Sequence, residues 1–108
     1  MSASTDETPV LDLLAAMTAE SVDASSLDPH SLMLVRIAAL AAVDAPPGSY
    51  LLNLGPAADA GVDADDVRGV LTAIAPIVGT ARIGTALGNI VRALALEELR
   101  EFDDGTAV

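Results

Sequence analysis

Apolar residues recur along this chain at intervals of three and four, and proline or glycine breaks the pattern at intervals. Val10, Leu13, Leu14 and Met17 stand at i, i+3, i+4 and i+7, which predicts a first helix from Pro9 to about Glu20. Thr8 is its expected cap, and Pro9 fills the first helical position, where a missing N–H costs nothing. Asp28-Pro29 opens a second helix in the same way, running to Val43. From Leu32 to Val43 only Arg36 is not apolar, so this reads as the central helix, buried on all sides. A third helix is expected from Pro46-Pro47 to Gly61, with Asp44 as cap and a kink or break after Leu54, where Pro56 interrupts it. The fourth runs from Ala64 to Val78, capped by Asp63, with Val67, Val70, Leu71, Ile74 and Val78 as its core stripe. Asp65 and Asp66 there favour the positive end of the helix dipole, and Pro76 is expected to bend the last turn.

The fifth helix follows Gly79, from Thr80 to about Leu99, and carries three faces. Ile83, Leu87, Ile90 and Leu94 form a large apolar face. Gly84, Gly88, Val91 and Ala95 form a mostly small one, and Arg82, Thr85, Asn89 and Arg92 form a polar stripe. Glycine inside a helix costs about 1 kcal/mol against alanine, so two of them one turn apart predict the close approach of another helix. No segment alternates with period two, so the class is all-α, a compact bundle of about five helices. The expected organisation is a loose tail over 1–8, one helical domain over 9–99 and a loose acidic tail over 100–108.

Composition sharpens this picture. Of 108 residues 52% are apolar before glycine is counted, against about 45–50% with glycine included in an ordinary soluble domain. A domain this small has little interior, so the surplus predicts burial between subunits or in a membrane. The longest charge-free run, Ala45–Ala58, has 14 residues and three prolines, too short and too broken for a spanning helix. Self-association is therefore the expected outlet. The N-terminus has no basic and apolar leader pattern, which places the expectation in the cytoplasm.

Charge and residue inventory then exclude chemistry. Sixteen acids against five arginines give a net charge of −11, which disfavours nucleic acid and anionic membranes as partners. With no cysteine there is no thiolate nucleophile, disulfide or iron–sulfur ligation, and a single histidine cannot build a multi-histidine metal site. Nothing in the sequence calls for a cofactor or a metal.

The stretch Leu34–Tyr50, the stretch Ala60–Leu71 and the segment Ala75–Arg82 together resemble the carboxymuconolactone decarboxylase family, which includes the alkylhydroperoxidase D-like proteins. The resemblance covers residues 10–98 and lies in helices and small residues. It implies an all-α protomer assembled as a homotrimer or homohexamer. The peroxidase branch carries an upstream Glu, a Cys-x-x-Cys pair whose thiolate attacks peroxide, and a His one turn beyond. The decarboxylase branch acts on a lactone through acid–base residues. Aligned on Ala60-Gly61, the two cysteine positions fall on Pro46 and Ser49, the histidine position on Asn53, and the glutamate position near Leu34 or Val35. None of these side chains can replace the chemistry of the residue it stands for.

The expected role is accordingly a non-redox oligomer, structural or binding a small ligand, with no catalytic residues assigned. A lyase- or hydrolase-like enzyme acting on a small carboxylated or lactone metabolite is the alternative, and a partner subunit for another protein is a third. The candidate ligand-binding residues are Arg36, Ser49, Tyr50 and Asn53. Arg36 could clamp the carboxylate of a small organic acid bidentately, or pair with Asp44, Asp59 or an acid of another subunit. Ser49, Tyr50 and Asn53 could line a pocket, or serve the helix start, the core and the backbone. His30 could be a base beside Asp28 and Ser31, with a surface position in the first turn as the plainer reading.

Overall fold

A computed structural model describes the backbone of residues 4–101 and the side chains of residues 8–97. The described residues form five helices and no strand: α1 (Ser4–Ala24), α2 (Pro29–Ala42), α3 (Pro47–Asp59), α4 (Ala64–Val78) and α5 (Thr80–Glu101). Three boundaries follow the caps read from sequence. Asp28 Oδ1 accepts from the Ser31 amide at 2.7 Å and starts α2. Asp63 and Asp66 form a reciprocal capping box at α4, with bonds of 2.8 and 3.0 Å. Gly79, at φ 98°, supplies the single left-handed residue that separates α4 from α5.

Other boundaries differ. α1 begins at Ser4 and ends at Ala24, so Thr8 is not its cap and residues 4–8, expected as tail, are helical. Pro9 lies inside α1, beyond its first turn, and leaves the Thr5 carbonyl without its helical partner. Residues 1–3 and 102–108 of the expected tails lie outside the described residues, whereas Arg100 and Glu101 extend α5. Pro56 does not break α3, which runs through it. The carbonyl it leaves without a partner belongs to Leu52, a residue 79% exposed, at a position open to solvent.

Asp44 is not the cap of α3. Pro46 takes that place, and no side chain caps the helix there. Asp44 instead closes α2. It sits at φ 59°, its amide bonds the Ala41 carbonyl at 3.3 Å, and the Ala45 amide reaches the Leu40 carbonyl at 3.0 Å. These are the two bonds of a Schellman end. α3 closes identically with Gly61 at φ 85°, through Gly61 to Ala58 and Val62 to Ala57, both at 3.0 Å.

The core is built on alanine. Ala41, Ala45, Ala86 and Ala93 are buried with Tyr50 and Leu71 in one cluster, and Ala57 with Leu32, Met33 and Ile37 in a second. Small side chains let helix axes approach closely, which explains how α2, α3, α4 and α5 pack with few large residues inside. α5 therefore turns a different face inward from the one its large residues predict. Ala86, Asn89 and Ala93 are buried, Ile83 and Ile90 flank them, and Leu87 and Leu94 stay exposed.

One further expectation fails within the protomer. α2 buries Leu32, Met33, Ile37 and Ala41 but leaves Val35, Ala39 and Val43 exposed on one stripe, so it is not surrounded. α1 carries the predicted stripe yet packs on no other helix to any extent. Val10, Leu13, Leu14 and Met17 are 50–66% exposed.

Candidate functional site

The four candidate residues do not converge. Tyr50 and Asn53, one turn apart on α3, line a cavity with Ile37, Leu54, Ala57, Val67 and Ile90. Its volume is about 20 Å³, enough for one water molecule and too small for an organic acid. Asn53 turns its amide onto its own helix, where Nδ2 donates to the Ser49 carbonyl at 2.8 Å. Ser49 is half-buried and does not line the cavity. Tyr50 is 2% exposed, and its hydroxyl has no hydrogen-bond partner among the described residues. Burial raises the Tyr50 pKa above its ordinary value, and the charge of Asp44 raises it further.

Arg36 points elsewhere. Its Nη2 donates to the Thr18 carbonyl of α1 at 3.3 Å, so it neither pairs with Asp44 or Asp59 nor reaches the cavity. A guanidinium on α2 thus fastens the stand-off helix α1 through a main-chain oxygen.

His30 finds a partner outside its own turn. Its Nε2 lies 3.0 Å from Asp66 Oδ2 on α4, while Asp28 is occupied by Ser31. Asp66 also accepts from the Asp63 amide, and these two contacts, the backbone bond first, hold its carboxyl below the usual range. Asp28 is lowered in the same way by the Ser31 amide and hydroxyl. A histidine held by a carboxylate can exchange a proton, but His30 lines neither the α3 cavity nor the α5 groove. The spacing of Asp63 and Asp66 signals a capping box; nothing in the sequence signals that Asp66 would meet His30 across 36 residues.

The polar stripe of α5 divides by task. Arg82 Nη1 donates to the Ala42 carbonyl at 2.6 Å and satisfies the C-terminus of α2. Asn89 Nδ2 donates to the buried Ala45 carbonyl at 3.0 Å. Thr85 bonds Ala81 on its own helix. Arg92 has no hydrogen-bond or ion-pair partner among the described residues. Gly84 and Gly88 look onto open space, with nothing within 4 Å of where a Cβ would stand. With Thr80, Ala81, Thr85, Asn89 and Arg92 they form an open groove of about 450 Å³.

Among the described residues no group of three or more His, Cys, Asp or Glu is placed to hold a metal, and no helix is long and apolar enough to cross a membrane. No family model, no curated protein and no solved structure matches the chain.

Proposed function

We propose that this chain is a non-redox, carboxymuconolactone decarboxylase-like helical protein whose working form is a homo-oligomer and whose role is structural. The observation that carries the reading is α1: a 21-residue helix with a regular apolar stripe that its own protomer leaves in water. Leaving such a stripe solvated forgoes roughly 1.5–3 kcal/mol for each large side chain that could be fully buried. Burial against another subunit recovers it. Val35 and Val43 on α2 and Leu87, Val91 and Leu94 on α5 add exposed apolar surface to the same account. The absence of cysteine removes thiol peroxidase chemistry from the chain itself.

A second reading, binding of a small organic acid, draws its support from the α5 groove, where Arg92, without a partner among the described residues, stands beside Thr80 and Thr85. The α3 cavity gives it none, because it is too small.

The test combines solution mass with chemistry. Light scattering at micromolar concentration is expected to give a trimer or larger, and peroxide consumption with a dithiol donor is expected to match buffer. A monomer would remove the structural reading, and peroxide turnover would remove the non-redox one.

A further inference from the structure

The outward face of α5 carries features that its own protomer does not use. Leu87, Val91 and Leu94 are 45–65% exposed along one edge. Arg92 stands along the other, without a partner among the described residues. Between them the chain drops to Gly84 and Gly88, so the surface there is concave rather than ridged. From Thr80 to Arg92 the groove runs along about 18 Å of helix.

α1 has the complementary shape and charge. Its apolar stripe from Val10 to Met17 is narrow and spans about 10 Å. Residues 4–24 contain Asp6, Glu7, Asp12, Glu20 and Asp23 and no basic residue at all. Glu20 falls on one flank of the stripe, near its C-terminal end, by helical geometry. In a chain of net charge −11, an acidic helix is repelled by most of the surface, and the α5 face offers one of the few cationic positions.

We infer that the α5 groove is the seat of α1 from a second copy of this chain: the Val10–Leu13–Leu14–Met17 stripe lies against Leu87, Val91 and the two glycines, and acids of α1 face Arg92. This rests on the self-association proposed above. It assigns the two glycines a helix to approach, from another subunit. The contact joins two different surfaces, so three or more copies close it head to tail as a ring. The Arg36 bond to Thr18 sets the direction in which α1 leaves its own protomer.

The natural chain has no cysteine, which makes cross-linking clean. A Leu14→Cys chain mixed with a Gly88→Cys chain is expected to give a disulfide heterodimer under mild oxidation. Gly88→Leu, which fills the groove at an exposed helical position, is expected to reduce the light-scattering mass to 10.9 kDa with helix content unchanged. Arg92→Glu is expected to weaken assembly about tenfold. Efficient Leu14→Cys homodimers, with no heterodimer and no effect of Gly88→Leu, would overturn the groove while leaving self-association standing. So would a double-cysteine chain that cross-links only within itself. A carboxylic acid such as benzoate raising the Tm through Arg92, with mass unaffected by Gly88→Leu, would give the groove to a small ligand instead. A monomeric wild type would remove both inferences.

Discussion

Asp44 occupies a conformation that most side chains avoid. At φ 59° it does the work that Gly61, at φ 85°, does for α3, with the same pair of main-chain bonds. Its Cβ costs energy there that glycine would not incur. Asp44→Gly is therefore expected to stabilise the fold by about 0.5–1 kcal/mol, read as a rise in Tm. Tyr50 carries the opposite kind of strain, a buried hydroxyl with no partner among the described residues. Tyr50→Phe is expected to stabilise by about 1 kcal/mol in a denaturant titration, whereas a hydroxyl that served the fold would make the change destabilising. Asp66 ties His30 and the α4 cap together, and its carboxyl is held below the ordinary value of 3.8. A carboxyl lowered by folding contributes stability that is complete above its unfolded pKa and lost as pH falls through its folded one. Asp66→Asn should therefore flatten the fall in stability below about pH 4, as measured by urea unfolding at each pH.

At the scale of elements, the sequence was most readable where a residue acts on its own backbone. Asp28, Asp63 and Gly79 each fix a boundary locally, and α4 falls on the residues its caps predicted, from Ala64 to Val78. The pattern misleads where a tertiary contact decides. The large residues of α5 suggested Leu87 and Leu94 inside, but close approach to α2 and α3 selects Ala86, Asn89 and Ala93. A stripe of small residues and a stripe of large ones are equally periodic, and periodicity does not say which face a neighbour will take. Asn89 shows the consequence: a residue read as one of a solvated stripe is a buried anchor for the Ala45 carbonyl. Asn89→Ala is expected to destabilise by about 1–3 kcal/mol, because it leaves that carbonyl unsatisfied in the core, whereas Thr85→Ala should change little. The candidate site was legible only in part. Tyr50 and Asn53 do share a cavity, as neighbours one helical turn apart must, but the partner of Arg36 lies on α1, and its own neighbours give no sign of that.

At the scale of the molecule, the surplus of apolar residues and the structure lead to the same place by different routes. Composition gave more apolar surface than a small domain can hide, and the bundle leaves large apolar residues exposed on all five helices, singly on α3 (Leu52) and α4 (Ile77) and in groups on α1, α2 and α5. The surface is not a uniform excess. It is arranged as helical stripes, one of them on a helix that its protomer holds by its Arg36 bond and its connection to α2. The central claim, that α1 is an assembly element, is tested most directly by the mass of the chain in solution with and without its stripe. Light scattering of the wild type across the micromolar range should give a constant multiple of 10.9 kDa, at least a trimer, and Leu14→Glu should bring it to 10.9 kDa with helix content retained. A wild type that scatters as 10.9 kDa throughout that range would contradict the claim.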